Sequence, residues 1–144
     1  MILEVATFGT LSKMYKNLKS QLPQRAAIAN DFGLYSAKEL SSWLEAVSVL
    51  RNIIAHHSRL WNRSLAKQPS NLKGHRDKWL LNPLTDNQKK KPFGIITAML
   101  YLCNAVYPEN QIKDKLLSLL ENSKNIPYAK LDFTSDWRNE PIWR

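Results

Sequence analysis

The residues best suited to chemistry are Arg51, Asn52 and His56, which fall close together in the sequence. In a helix, Asn52 and His56 would share a face because they are four positions apart. Arg51 and His56 would be separated by roughly 140° around the axis. An imidazole moves protons near neutral pH, and a guanidinium holds a phosphate through paired hydrogen bonds. These side chains therefore suit phosphate chemistry, or else a structural role in which Arg51 and Asn52 satisfy hydrogen bonds at a helix end and His56 is partly buried.

Cleavage of RNA without a metal ion fits these side-chain types. The RNA 2′-hydroxyl is its own nucleophile, so the reaction needs a base for its proton, a cation for the crowded phosphate and an acid for the leaving oxygen. His56 could be the base or the acid, and Arg51 could clamp the phosphate. Asn52 could orient the imidazole or the substrate. These three residues form the predicted catalytic set.

Other chemistries fit the sequence less well. His56 and His57 are adjacent and would point in different directions, and His75 lies far along the chain. No acidic pair or cysteine lies near enough in sequence to complete a zinc or two-metal site, so we expect no metal and no cofactor. Cys103 stands in the most apolar segment, where a core thiol is the ordinary interpretation. The four glycines form no phosphate-binding loop.

The positive charge is concentrated in the middle of the chain. The sequence carries a net charge of +9, and residues 51–91 hold ten basic residues against two acidic ones, a net +8. Such a localised excess indicates a polyanionic partner, nucleic acid first, over a merely solubilising surface. The predicted RNA-binding residues are His57, Arg59, Arg63, Lys67, Lys73, Arg76, Lys78, Lys89, Lys90 and Lys91.

The elements that must position these residues are a helix and the loop after it. Ser36 and Glu39 form a capping box that opens a helix over about residues 37–60, with the candidate catalytic residues towards its C-terminal end. Residues 62–87 contain prolines, a glycine and scattered polar side chains, which predict a long basic loop. At most a short helix or extended piece is expected around residues 79–81.

Helical periodicity extends over most of the chain, so the predicted fold class is all-α. Helices are expected over about residues 2–18 with a kink at Gly9, from Pro23 to Gly33, over about 92–106 and over 109–122. The tail, residues 126–144, is predicted to be irregular, with its aromatic side chains docked onto the bundle.

Length and composition limit the protein class. A chain of 144 residues is the size of one domain. One cysteine excludes an internal disulfide framework and fits a reducing compartment. The longest apolar run, residues 93–107, is shorter than the roughly 20 residues of a membrane span, and the N-terminus lacks a signal-peptide pattern. We therefore expect a cytoplasmic protein with no membrane partner.

The sequence around the candidate catalytic residues resembles a known family. Arg51, Asn52 and His56 match the R-x4-H motif of HEPN domains, in the form with a polar residue after the arginine. The run 50–63, with Ser-Trp-Leu at 42–44 before it, closely resembles the Abi-like family of bacterial abortive-infection proteins. The segments 8–15, 136–137 and 141–143 add to this likeness, which extends over nearly the whole chain.

The resemblance implies a single HEPN-like helical domain over residues 1–144 and a homodimer that brings two R-x4-H motifs together. It further implies metal-independent endoribonuclease activity, with Arg51 and His56 as the catalytic pair and Asn52 as the polar position beside the arginine. The implied setting is phage defence or a toxin–antitoxin system, with a protein or RNA antitoxin as a further partner.

Family members are typically much longer than this chain, which resembles their C-terminal half. It is therefore either a natural short form or a fragment. The alternative functions are a non-catalytic RNA- or nucleotide-binding helical module and an inactive truncated remnant.

Overall fold

The computed structural model describes residues 6–74, 78–123 and 128–144. These residues form α-helices and short 3₁₀ helices and contain no strand, which confirms the predicted all-α bundle. The α-helices are α1 (Phe8–Asn17), α2 (Pro23–Asp31), α3 (Ala37–Ala55), α4 (Asp86–Lys89), α5 (Pro92–Val106) and α6 (Ile112–Asn122). The 3₁₀ helices are Tyr128–Leu131, Trp137–Asn139 and Pro141–Trp143.

Helix α3 is the central element, and α1, α2 and α5 pack against it. Its buried positions include Trp43, whose ring lies 4.7 Å from that of Trp79 and 5.3 Å from that of Tyr101 between ring centroids. Trp43 belongs to α3, Trp79 to the loop and Tyr101 to α5. This aromatic cluster therefore joins three parts of the chain in one core.

The predicted start of α3 is confirmed, although the capping glutamate contributes differently from the expected box. Ser36 Oγ accepts a hydrogen bond from the Glu39 backbone N–H at 3.2 Å. The Glu39 carboxylate accepts from the backbone N–H groups of Tyr35, at 2.7 Å, and of Lys73, at 3.3 Å. Because Glu39 is only 3% exposed, this carboxylate ties the start of α3 to the loop from inside the protein.

The predicted loop is present but firmly attached to the bundle. Its residue Ser70 accepts a hydrogen bond from the Trp43 indole N–H at 2.8 Å. The Asn71 amide exchanges two hydrogen bonds with the backbone of Leu84, at 3.0 and 2.9 Å. Helix α4, which begins after a capping box of Thr85 and Gln88, lies partly inside the region predicted as loop and was missed because it is only 4 residues long.

The remaining helix bounds agree with the predictions for α2 and α5 and differ for α1 and α6. Helix α1 begins at Phe8 after the N-cap Thr7, so Gly9 lies in its first turn and does not form the predicted kink. The predicted N-terminal part of that helix includes residues 1–5, which lie outside the described residues. Helix α6 begins at Ile112, three residues after the predicted start, because Asn110 first folds back on the Tyr107 carbonyl.

The described part of the tail is docked through its aromatic side chains, as predicted. Phe133 lies 4.8 Å from Phe93 of α5, and Trp137 lies 5.1 Å from Trp143 between ring centroids. The Trp143 indole N–H donates to Thr97 Oγ1 at 3.3 Å. Short 3₁₀ helices replace the irregular chain that was expected. None of the described helices has the length and apolar character needed to cross a bilayer.

Candidate functional site

Helix α3 ends earlier than predicted, and this end shapes the candidate site. The expected extension to residue 60 is wrong, because the last helical residue is Ala55 and His56 is the C-cap. The His57 N–H donates to the Ile54 carbonyl and the Ser58 N–H to the Ile53 carbonyl, both at 3.0 Å. This pair of bonds is a Schellman motif. His57 occupies its left-handed position, with φ of 51°, where glycine is usual, so the sequence carried no glycine signal for the stop.

Asn52 and His56 line one shallow depression at this helix end, as their spacing predicted. The depression has a volume of about 280 Å³. The His56 backbone N–H still donates to the Asn52 carbonyl at 3.1 Å, which keeps the helical relation between the two residues. Arg63 of the loop and Ser58 complete the polar lining. Since none of the described lining residues is acidic, the site presents an imidazole, an amide and a guanidinium to an anion.

Arg51 does not line this depression but contacts it through Asn52. Its Nη1 donates to Asn52 Oδ1 at 3.2 Å, and both side chains are exposed. Because the guanidinium engages the amide oxygen, the amide N–H groups of Asn52 are left to donate to a ligand. Asn52 therefore links the guanidinium of Arg51 to the depression that contains His56.

His57 and Arg59 belong to the turn after α3. Both are exposed, and neither is among the described residues that line the His56 depression. The backbone reversal at His57 separates it from His56. The Arg59 carbonyl accepts a hydrogen bond from Arg63 Nη1 at 3.5 Å, so the backbone of Arg59 helps to orient Arg63.

A second depression lies between α1 and α3 and shares Val49 and Asn52 with the first. Its volume is about 330 Å³, and Lys67 of the predicted RNA-binding set lines it together with residues of both helices. Glu45 is the one carboxylate in its described lining, and this carboxylate lies 2.9 Å from Lys16 Nζ and 3.7 Å from Lys67 Nζ. The hydrogen bond from Lys16 and the charge of Lys67 lower the pKa of Glu45. The Glu45 carboxylate is therefore ionised, and the two lysines balance its negative charge.

The other predicted RNA-binding residues lie elsewhere. The backbone N–H of Lys73 is bound to Glu39, and Lys78 lines a separate cavity with Lys113 and Arg144. Arg76 lies outside the described residues. Among the described members of the set, Arg63 and Lys67 are the two that line the depressions meeting at Asn52.

The three consecutive lysines differ in exposure and in charge partners. Lys89 Nζ lies 2.6 Å from Asp86, and Lys91 Nζ lies 3.6 Å from Asp132. Their side chains are 14% and 16% exposed. Lys90 is exposed. An RNA phosphate would therefore have to compete with a carboxylate at two of these three positions, which the sequence could not show.

The spacing of residues along the sequence did not indicate the side chains that α1 contributes beside Asn52. Lys13 and Thr10 line the second depression together with Ser48 of α3. Thr10 and Lys13 are far from Asn52 in sequence, and the packing of α1 on α3 brings them close to it. Gly9 was the available signal: a Cβ there would lie 3.2 Å from Ser48 Oγ, so a small residue permits this close approach.

The parts of the chain that the structure describes contain no group of three or more His, Cys, Asp or Glu side chains able to share an ion. Cys103 is partly buried in α5, and burial raises the pKa of its thiol. A raised pKa reduces the thiolate fraction and hence its nucleophilicity.

The comparisons with known proteins support part of the predicted resemblance. Residues 1–62 match the model of the Abi-like protein family. The match supports an Abi-like assignment. It spans α1, α2 and α3 and includes the segment that carries Arg51, Asn52 and His56. No curated protein and no solved structure matches the chain. The likeness to HEPN domains, and the likeness of residues 136–137 and 141–143 to the family, stay predictions.

Proposed function

We propose that this protein is a metal-independent endoribonuclease of the abortive-infection type, which acts as a toxin in phage defence or in a toxin–antitoxin system. The observation that carries the proposal is the convergence of Asn52, His56 and Arg63 on one depression free of carboxylates among its described lining residues. The match of residues 1–62 to the Abi-like family supports the biological setting.

In the proposed reaction, the RNA 2′-oxygen attacks the adjacent phosphorus and the bond to the 5′-oxygen of the next nucleotide breaks. His56 takes the proton from the 2′-hydroxyl or gives one to the leaving oxygen. Arg63 and the amide N–H groups of Asn52 bind the phosphate oxygens, whose negative charge increases in the transition state. Arg51 holds the amide of Asn52 and adds positive charge beside it.

A second copy of the chain completes this proposed site. Acid–base cleavage uses two proton-transfer groups, and the described lining of the depression contains one histidine, His56. His57 lies beyond the backbone reversal and is not among the described lining residues. His56 is exposed, and so is the neighbouring Ile54, at 55%, which offers an apolar contact at the same helix end. RNA or counter-ions would favour such a dimer because it brings positive charges together.

Cleavage of single-stranded RNA in the presence of EDTA tests the reaction directly. We expect products with a 2′,3′-cyclic phosphate and a 5′-hydroxyl. His56→Ala should lower the rate by about 10²–10⁴-fold, the usual contribution of a general acid or base. Arg51→Lys should have a smaller effect, because Arg51 contacts the depression through one hydrogen bond to Asn52 Oδ1, which an ammonium can also donate. Both residues are exposed, so the variants should unfold at the same urea concentration as the wild type.

Several results would contradict the proposal. Products with 5′-phosphates, or activity that EDTA abolishes, would exclude attack by the 2′-oxygen with side-chain acid–base catalysis. A strictly monomeric mass across micromolar concentrations with full activity would exclude the shared site. RNA binding without cleavage would favour a non-catalytic RNA-binding module, because the basic depressions would then serve affinity alone.

A further inference from the structure

The depression between α1 and α3 has a lining that suits a nucleic acid backbone. We propose that it holds the sugar–phosphate backbone of single-stranded RNA next to the cleaved phosphate, with Lys13 and Lys67 as its phosphate contacts. This inference rests on the proposed function for the position of the cleaved phosphate beside His56. It assigns an RNA-binding role to helix α1.

The first argument is continuity between the two depressions. Val49 and Asn52 line both of them, so Asn52 stands at their junction. An RNA strand whose phosphate lies beside His56 would cross Asn52 and enter the space of about 330 Å³ between α1 and α3. The neighbouring nucleotide on one side of the cleaved bond would then contact α1.

The second argument is the chemistry of the lining. Thr10, Ser12 and Ser48 bring hydroxyl groups to the depression. The Thr10 hydroxyl is hydrogen-bonded to that of Thr7 at 2.9 Å, while those of Ser12 and Ser48 line the depression beside it. Because these hydroxyl groups can both donate and accept hydrogen bonds, they suit a ligand that carries oxygen and hydroxyl groups. The ribose and phosphate of RNA carry both kinds of group.

The third argument is charge. Lys13 and Lys67 line the depression, and the one carboxylate in its described lining, Glu45, lies 2.9 Å from Lys16 and 3.7 Å from Lys67. A phosphate would compete with Glu45 for Lys67, while Lys13 adds a charge beyond this ion pair. The depression is therefore positive overall, which favours an anion. The described lining contains no aromatic side chain on which a base could stack. Contact with the backbone alone carries no direct sequence information, so this side of the cleaved bond should show little base preference.

Binding of a labelled short single-stranded RNA to the His56→Ala variant tests the subsite without cleavage of the probe. Fluorescence anisotropy at several salt concentrations gives both the affinity and its salt dependence. Lys13→Gln in this background should weaken binding about fivefold at low salt and reduce the slope of log K against log salt by about 0.7, the value for one phosphate contact on a single strand. Lys19→Gln is the matched control, because Lys19 is exposed just beyond α1 and lines neither depression.

Ser12→Ala separates ligand contact from a structural role. Removing a hydroxyl that lines an open depression should leave the urea midpoint of the free protein nearly unchanged. The same variant should weaken RNA binding about threefold, since it removes a hydrogen-bonding group from the lining. A residue with a structural role alone would lower the stability and the affinity together.

The outcomes distinguish this subsite from the catalytic proposal. If Lys13→Gln weakens RNA binding and the wild type cuts no RNA, the subsite stands and the endoribonuclease proposal fails. If the wild type cuts RNA through His56 and Lys13→Gln binds like Lys19→Gln, the subsite is overturned and the catalytic proposal stands. A His56→Ala protein that binds no RNA at low salt overturns the subsite as well.

Discussion

Replacement of Glu39 by glutamine tests whether a buried carboxylate holds the basic loop to the helix that carries the site. Glu39 is 3% exposed and accepts hydrogen bonds from the backbone N–H groups of Tyr35 and Lys73, at 2.7 and 3.3 Å. Glutamine has almost the same shape but offers one acceptor oxygen and an NH₂ group. One of the two backbone donors would therefore face another donor.

The expected loss of stability follows from these two contacts. A hydrogen bond to a charged group contributes about 1.5–3 kcal/mol, and a buried donor left without a partner costs about 1–3 kcal/mol. A carboxylate in the first turn of a helix adds about 0.3–1 kcal/mol through the helix dipole. The lower cost of burying a neutral amide offsets part of the loss. We expect Glu39→Gln to reduce the free energy of unfolding by about 3 kcal/mol.

Urea unfolding followed by tryptophan fluorescence measures this change, since Trp43 and Trp79 are buried in the core. Glu45→Gln is the matched control, because Glu45 lies on the same helix and makes ion pairs with Lys16 and Lys67 nearer the surface. Exposed ion pairs contribute at most about 1 kcal/mol, so the control should lose far less. Equal losses in the two variants would refute the assignment of Glu39 as the anchor of the loop.

Two further substitutions test backbone geometry near the site and in the core. His57→Gly should raise the free energy of unfolding by about 0.5–1 kcal/mol, because glycine accepts the left-handed conformation without strain; a lower urea midpoint would contradict that account. Gly94→Ala should lower the free energy of unfolding by about 3 kcal/mol, since a Cβ would lie 2.6 Å from the Gln88 carbonyl oxygen. An unchanged thermal midpoint would show that the contact between α4 and α5 relaxes freely.

Local sequence signals predicted the elements that depend on local interactions. Pro23 and Pro92 begin α2 and α5, and Gly33 closes the turn after α2 with φ of 69°. The Ser36 cap marks the start of α3. Each of these signals acts within one turn of the chain, so it is visible without knowledge of the fold.

The end of α3 could not be predicted in the same way. The sequence continues with residues that tolerate helix, and the stop depends on a histidine in a conformation that usually requires glycine. The spacing of Asn52 and His56 still predicted their common depression, because His56 keeps the last helical hydrogen bond to Asn52.

Long-range packing decides which basic residues can act together, and a local sequence pattern does not reveal that packing. A net charge of +8 over residues 51–91 predicted one RNA-binding surface. In the folded chain, Lys67, Lys89 and Lys91 each lie near a carboxylate. Arg63 and Lys67 line the two depressions that meet at Asn52. Charge density along a sequence therefore does not by itself identify the contact residues.

The backbone around the candidate site is anchored at both ends, while the site itself is open to solvent. The start of α3 is held by Glu39, and the chain after Arg63 is held by the Leu65 N–H, which donates to the Lys90 carbonyl at 2.8 Å. His56 lies between these two anchors and is exposed. A catalytic imidazole must be held in place and also shielded from water for its electrostatic partners to act strongly. The folded chain fixes the backbone of His56, and in our proposal a second chain together with bound RNA orients and shields its imidazole.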